Sequence, residues 1–426
     1  MNTGFVEELR WRGLLQDIMP GTEELLNKEK VCGYIGFDPT ADSLHIGSLT
    51  QIFTLMRLQK AGHKPIALIG GATGMIGDPS GKSAERNLLD ETQLQKNVDG
   101  IEKQLRKFLD FNGSADGAEL LNNYDWMKNY SFIHFIRDIG KHLTVNYMMA
   151  KDSVKNRLES GMSFTEFSYQ LMQAYDFYYL FTHNNCKLQM GGSDQWGNIT
   201  SGTELIRRKG GAEAFGLTTQ LVRKADGSKF GKTEGGNIWL DKKRTSPYRF
   251  FQYWINTSDE DAKNFIRIFT FLPKQEIETL ITEHEKDPGK RILQNKLAEE
   301  LTTLVHSKED YQTALAASKV LFSGGLSDFQ KLDETTFLEL FEGVPQIQLS
   351  HDELKNAISV VDLLSEKSKI APSKGEARKL IQGGGVSINK EKVESQDVLV
   401  NTSHLINNKY IIIQKGKKNY FLCLVN

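Results

Sequence analysis

Cysteine is scarce. The chain has three in 426 residues, Cys32, Cys186 and Cys423, far apart and odd in number. That count argues against a disulfide framework and against a Cys-rich zinc site, and it suits a reducing cytoplasm. Net charge is also nearly absent, at −1. Without a bulk basic field, any contact with nucleic acid must come from local patches. No uninterrupted apolar run approaches the roughly 18 residues of a membrane span. The opening stretch, "MNTGFVEELRWRGLLQD", carries acids early and lacks an apolar core segment. It is expected to be neither a secretory signal nor a transit peptide. Long repeats and low-complexity tracts are missing too. With 39% apolar and 25% charged residues, what is left is a soluble globular profile. The length is too great for one ordinary core, so two or three domains are expected.

The patterned stretches come in an order. "VCGYIGF" (31–37) has strand composition, and "SLTQIFTLMRLQKAG" (48–62) has helical spacing that closes on Gly62. "KPIALIGGATGMIGDPSGK" (64–82) starts as a buried strand and breaks into a glycine-rich turn. Strand, helix, strand is the unit of parallel α/β sheets. "CKLQMGGSDQWGN" (186–198) repeats the theme. In such sheets ligands bind beyond the carboxyl ends of the strands, where each of these polar turns falls.

The glycine-rich turn fails the common phosphate templates. A Walker loop ending at Gly81-Lys82-Ser83 needs glycine where the chain has Ile76, and Gly71, Gly74 and Gly77 are spaced three apart. Neither a P-loop phosphotransferase nor an NAD enzyme is favoured. In "FDPTADSLHIGS" (37–48), Pro39 fixes a turn and Gly47 removes bulk at a helix start. Thr40 and His45 offer donors near a helix N-terminus, where phosphates are favoured. A capped helix with a solvated histidine fits that stretch equally well. "SKFGKT" (228–233) sets Lys229 and Lys232 on a flexible turn, able to swing onto a polyanion or to stay a solvated basic loop. In "FSYQLMQAYDFYYLF", Tyr169, Gln173 and Asp176 stand at i, i+4 and i+7 and share one helix face. Their neighbours are apolar or aromatic, so the carboxylate is expected to be buried and to need partners.

Two of these stretches belong together. "HIGS" resembles the "HIGH" motif of class I aminoacyl-tRNA synthetases and "KFGKT" their "KMSKS" loop. With "GGATGMIGDPSGK", "NYMMAKDSV", "SFTEFSYQLMQAYDF" and "GGSDQWGNI" in the same order, the chain from about residue 30 onward resembles the bacterial tyrosyl-tRNA synthetases. The resemblance implies activation of L-tyrosine with ATP, then transfer to the 3′-terminal ribose of tRNA(Tyr). It implies that Tyr34 and Asp176 receive the substrate phenol, and that Asp78, Tyr169 and Gln173 hold its ammonium. Gln195 would lie near the reacting carboxylate. Asp38 would sit near the amine and the ribose, and Asp194 on the ribose. Gly36, Gly47, Ser48 and Gly192 would line the ATP site. Thr40 and His45 would bind the γ-phosphate, with Lys82, Arg86, Lys229, Lys232 and Thr233 gathering on the departing pyrophosphate. No permanent cofactor and no protein metal site are expected; ATP is a substrate and Mg2+ accompanies it. A cytoplasmic homodimer without membrane attachment is implied, with the aromatic-rich residues 122–149 as its candidate interface.

One departure stands out. The family motif ends in a second histidine, and this chain has Ser48. A net hydrogen bond is worth about 0.5–1.5 kcal/mol, so at most a roughly tenfold effect is expected.

The implied architecture is α/β: a Rossmann-like parallel-sheet catalytic domain, an α-helical domain and a small α+β RNA-binding domain. The expected bounds are 1–223 for the catalytic domain, 224–247 for a mobile KFGKT loop and linker, and 248–325 for a helical anticodon-side domain. A linker over 326–350 and a ribosomal-protein-like RNA-binding domain over 351–426 follow. That last segment holds 12 Lys/Arg against 8 Asp/Glu, a balance that suits phosphate contacts as well as a solvated face. Two other functions stay open: loading of tryptophan on the same fold, which Tyr34 and Asp176 argue against, and an RNA-binding paralogue without catalysis, which Ser48 alone hints at.

Overall fold

The structure is a computed structural model. It describes residues 4–426 apart from 81–88, 115, 152–153, 156–160, 229, 234–235, 324, 343 and 417–418, with backbone alone at 232–233 and 321–323. Contacts divide the chain into two compact units: Met1–Thr245 with Tyr253–His306, and Ser246–Gln252 with Ser307–Asn426.

The first unit is built on six strands: β1 (Leu15–Ile18), β2 (Cys32–Phe37), β3 (Lys64–Ile69), β4 (Glu119–Asn122), β5 (Cys186–Gly192) and β6 (Phe215–Thr219). Their order is β1-β6-β5-β2-β3-β4. All neighbours are parallel except the edge strand β1, which runs antiparallel to β6. Strands β2, β3 and β5 are buried almost throughout, as strands covered on both faces must be. From β2 the chain moves to β3 on one side, and β5 lies on the other. The strand order therefore reverses between β2 and β5, and a ligand crevice is expected at their carboxyl ends.

The helices of this unit that matter here are α1 (Phe5–Trp11), α2 (Leu49–Lys60), α3 (Glu91–Leu105), α4 (Phe164–Asn184), α5 (Trp196–Gly210) and α6 (Asp259–Ile268). Helix α4 starts at Ser163, whose hydroxyl accepts from the Glu166 amide, and it stops at Asn185, which takes the left-handed conformation. Both are ordinary helix punctuation.

Two expected boundaries need correction. Residues 253–306, expected in a separate helical domain, cluster with the catalytic sheet. The physical cause is a pair of buried arginines. Arg12 donates to the carbonyls of Arg267, Thr270 and Leu272, and Arg57 to those of Ile268 and Thr270. Together they cap the carboxyl end of α6, with Glu8 beside both guanidinium groups. Burial pushes the Arg57 guanidinium down to about 9. Phe53 also stacks on Phe271, with ring centroids 5.0 Å apart.

Residues 326–350, expected as a linker, carry two short helices, α7 (Leu326–Phe329) and α8 (Glu334–Leu340), and strand β7 (Gln346–Leu349). Strand β7 pairs in parallel with β11 (Asn419–Val425) at the edge of a five-stranded sheet completed by β8 (Val386–Ile388), β9 (Glu391–Lys392) and β10 (Tyr410–Lys415). Elements of four to seven residues are too short to establish a period, which is why the stretch reads as irregular. The second unit has its own apolar core, centred on Leu354, Leu363, Ile411 and Ile413.

Candidate functional site

Helix α4 carries Tyr169, which meets Asp38 just after β2, Gln173, which meets Gln195 just after β5, and Asp176, whose partners Asn123 and Trp126 follow β4. Asp176 is the deepest, at 2% exposure. One of its oxygens accepts from Asn123 Nδ2 at 2.9 Å and the other from Trp126 Nε1 at 2.8 Å. Burial raises its carboxyl to about 7, against the opposing pull of those two donors. The Tyr34 ring packs 5.5 Å from Phe177, and its hydroxyl is buried with no hydrogen-bond partner among the described residues. Burial, then the nearby Asp176 charge, pushes the Tyr34 phenol well up. A buried hydroxyl without a partner costs free energy unless a ligand supplies one.

From Asp176 a polar chain leads outward. Asn123 Nδ2 also donates to Thr73 Oγ1 at 3.0 Å, and Thr73 donates to Asp38 Oδ1 at 2.8 Å. The other oxygen of Asp38 accepts from the Tyr169 hydroxyl at 2.8 Å. Burial is the main reason that the Tyr169 phenol is raised, with Asp38 second. A second cluster lies along α4 and α5. Gln173 Nε2 donates to Gln195 Oε1 at 3.2 Å, Gln195 Nε2 to Asp78 Oδ2 at 2.7 Å, and Asn198 Nδ2 to Gln173 Oε1 at 2.9 Å. The structure thus brings five of the six expected amino-acid-pocket residues, all but Tyr34, into two hydrogen-bond networks. One is acceptor-rich and buried, suited to a hydroxyl; the other is dense in amide and carboxylate oxygens, suited to an ammonium.

Four members were not anticipated: Thr73, Asn123, Trp126 and Asn198. Asn123 and Trp126 stand 53 and 50 residues from Asp176 in sequence. No local pattern announces a contact of that range. The one signal was the packing of Asn and Trp into "NNYDWM", which is equally a surface stretch.

The nucleotide side is built from turns. His45 caps a 3₁₀ turn, Ile46–Ser48, that feeds α2; its Nδ1 accepts from the Gly47 amide at 3.0 Å. Thr40 is exposed and Ser48 half-buried. Gly36 is exposed at the end of β2, and a Cβ there would meet nothing within 4 Å. Protein packing does not demand that glycine; the space above it is open to a flat ligand. At Gly192 a Cβ would come within 2.6 Å of Asp194 Oδ1, so a side chain at 192 would displace that carboxylate. Lys82, Arg86 and Lys229 lie outside the described residues. The backbone of Lys232 and Thr233 pairs with Asn237 and Gly236 in a two-stranded ribbon. Beyond it the segment expected as a mobile loop is pinned to the first signature: Ile46 donates to the Ile238 carbonyl and Leu240 to the Leu44 carbonyl. Phe230 sits in an aromatic nest, stacked 5.0 Å from Phe269.

The family model described as tRNA synthetases class I (W and Y) matches residues 26–323. A model described as the Tyrosine–tRNA ligase SYY-like C-terminal domain matches residues 336–423. The chain is 61% identical to Tyrosine–tRNA ligase of Bacteroides thetaiotaomicron across 99% of both chains. It is 59% identical to the protein of the same name from Flavobacterium johnsoniae, again across 99% of both. Among solved structures it is similar to a C-terminally truncated mitochondrial tyrosyl-tRNA synthetase of Aspergillus nidulans. That likeness has a TM-score of 0.67 and 32% identity, over 75% of this chain and 95% of the other.

Proposed function

The chain belongs to the class I tRNA synthetases of the tryptophan and tyrosine group, and from that premise we propose that it is a tyrosine–tRNA ligase. The tyrosine carboxylate attacks the α-phosphorus of ATP. A carboxylate O–P bond forms, the bond to the β-phosphate bridge breaks, and pyrophosphate leaves. A terminal ribose hydroxyl of tRNA then takes the tyrosyl group and AMP departs. One observation carries the choice of amino acid: a buried hydroxyl with no partner among the described residues, Tyr34, near a buried carboxylate, Asp176. A phenol O–H donates to the carboxylate and accepts from Tyr34; an indole has no such group. Transfer of labelled tyrosine to tRNA(Tyr) by the full chain tests the whole reaction.

No side chain need form a covalent intermediate. The protein positions two substrates and stabilises charge as it develops. Asp78, Tyr169 and Gln173 take the ammonium, and Gln195 lies by the reacting carboxylate. Asp194 receives the ribose hydroxyls, an acceptor facing two donors. The open face of Gly36 supports an ATP site with Gly47, Ser48 and Gly192. Thr40, His45, Lys82, Arg86, Lys229, Lys232 and Thr233 are assigned to the pyrophosphate. Mg2+ arrives on the ATP phosphates; among the described residues no group of three acidic, His or Cys side chains would hold it.

Tyrosine binding should depend on pH through Asp176. Its carboxyl sits near 7 in the empty site, and a phenol O–H donated to it favours the ionised form. Affinity for tyrosine is therefore expected to weaken below about pH 7, by up to about tenfold per unit, and to be flat above it. Fluorescence titration between pH 5.5 and 8.5 checks this. Asp176→Asn should remove the dependence.

The second unit is proposed to grip tRNA. Several of its lysines are already paired, Lys367 with Glu353 and Lys374 with Asp362 and Glu366. Such exposed pairs are worth little and yield readily to phosphates. The enzyme is proposed to work in the cytoplasm, where tRNA is charged. Among the described residues no helix is long and apolar enough to cross a membrane. A homodimer is proposed through residues 122–149. Phe132 and Ile133 are 70% and 74% exposed on one short helix, near Val145 in sequence at 59%, an apolar concentration that monomers seldom expose. Replacing both Phe132 and Ile133 by glutamate should halve the mass seen by light scattering. An unchanged mass would rule out this face.

A further inference from the structure

The loop that carries Thr40 and His45 is gripped by a helix to which the sequence assigned no role. Three residues of α3 at i, i+3 and i+7, Asn97, Gly100 and Gln104, share one face and all meet the backbone of residues 39–44. Asn97, 1% exposed, donates through Nδ2 to the Pro39 carbonyl at 2.9 Å, while its own oxygen accepts from Gln93 at 2.8 Å. Gln104, 6% exposed, accepts from the Leu44 amide through Oε1 at 2.8 Å and donates through Nε2 to Ser43 Oγ at 2.9 Å. With both ends of each amide occupied, neither side chain can turn over without losing bonds. Between them lies Gly100. A Cβ at that position would fall well inside contact with the carbonyl, carbon and Cα of Asp42. Glycine is a poor residue for a helix interior, and here the helix needs it to lie directly on the loop backbone. Lys96 on the same helix also reaches Asp42, at 3.6 Å.

The opposite side of the loop is held as well. Leu44 accepts from the Leu240 amide, and Ser43 Oγ accepts from the Asp241 amide at 3.2 Å. Arg244 pairs with Asp42. The loop is thus fixed by its backbone between α3 and residues 238–244, while Thr40 remains exposed.

We propose that Asn97, Gly100 and Gln104 are positioning residues for adenylate formation. By fixing the backbone of residues 39–44 they set the aim of Thr40 and His45 at the departing pyrophosphate. Among the described residues the hydrogen bonds of Asn97 and Gln104 go to Pro39, Gln93, Ser43 and Leu44 and not to the amino-acid pocket, so the clamp should act on turnover and leave tyrosine binding alone. The inference rests on the roles given above to Thr40 and His45.

The test compares Gln104→Ala, Gln104→Met, Asn97→Ala and Gly100→Ala with the unaltered full-length protein. Three readouts are needed: kcat for tyrosine-dependent ATP–pyrophosphate exchange, Kd for tyrosine by fluorescence, and hydrogen exchange of the Leu44 amide. A misplacement of the order of an ångström costs roughly a hundredfold in rate. Each variant is expected to lose roughly 10- to 100-fold in kcat, to keep tyrosine Kd within about twofold of the unaltered value, and, for the Gln104 variants, to lose protection at Leu44. Methionine keeps the volume of Gln104 and removes both hydrogen bonds, so it should be as slow as alanine. The proposal is overturned if Gln104→Met restores the rate, or if kcat holds in folded variants. A tyrosine Kd that weakens in step with kcat overturns it too. Gly100→Ala and Asn97→Ala stand independently should one Gln104 variant fold poorly. The amide readout needs no turnover. If the unaltered protein activated no tyrosine, the functional reading would fall, and Leu44 would still decide whether the clamp exists.

Discussion

Asp176→Asn is expected to lower kcat/KM for tyrosine by roughly 10²–10⁴ and to erase most of the preference over phenylalanine. The carboxylate now accepts from Asn123 and Trp126, one donor on each oxygen. An asparagine offers a single acceptor oxygen. Its amide must turn an N–H toward one of those donors, leaving it unpaired at about 1–3 kcal/mol. The charge-assisted bond to the phenol, about 1.5–3 kcal/mol, is lost as well. Phenylalanine loses nothing by the change. Rejection of phenylalanine by roughly 10⁴–10⁵ is a magnitude already known for tyrosyl-tRNA synthetases; the variant should lose it through poorer use of tyrosine. The fold should not suffer. Because the folded carboxyl is raised to about 7 from 3.8, Asp176 favours the native state below the unfolded value, and that contribution disappears as pH rises through about 7. At pH 8 the buried ionised group is a cost to the empty protein that asparagine removes. Exchange kinetics with both amino acids, beside a melting curve at pH 8, check the argument. An unchanged tyrosine-to-phenylalanine ratio would refute it.

Asp38→Ala is the second large effect. Asp38 accepts from Tyr169 on one oxygen and from Thr73 on the other, and Thr73 in turn accepts from Asn123. Removing the carboxylate strands two hydroxyls and uncouples the chain that reaches Asp176. Two charge-assisted bonds at about 1.5–3 kcal/mol each predict a fall in kcat/KM of roughly 10²–10⁴. Tyr169→Phe removes one of them and should cost roughly tenfold to a hundredfold. Combined with Asp38→Ala it should add little, because residues that share a bond are not additive. Unlike the Gln104 variants, Asp38→Ala should weaken tyrosine binding itself. A tyrosine Kd left intact would place Asp38 outside the pocket.

How much of this was legible depends on range in the chain. Tyr169, Gln173 and Asp176 could be put on one face from spacing alone, and α4 does so because a 3.6-residue period needs only a continuous helix. The βαβ order was equally plain, since buried parallel strands leave apolar runs. The partners of Asp176 were not legible, because Asn123 and Trp126 reach it across 50 residues through the fold. The grip of α3 on residues 39–44 was hidden for the same reason. Gly100 looks like a flaw in a helix until the Asp42 carbonyl is seen against it. Residues 253–306 escaped placement with the catalytic sheet because two arginines, Arg12 and Arg57, decide it from a distance. The lysines proposed to meet the pyrophosphate were read from motif resemblance, and Lys82 and Lys229 fall outside the described residues.

The pocket is proposed to select a phenolic amino acid and to join its carboxylate to the AMP part of ATP, with release of pyrophosphate. ATP–pyrophosphate exchange, run without tRNA and separately with tyrosine, phenylalanine and tryptophan, addresses this most directly. Exchange with tyrosine alone is the expected result. Exchange driven by tryptophan, or by none of the three in a folded protein, would contradict it.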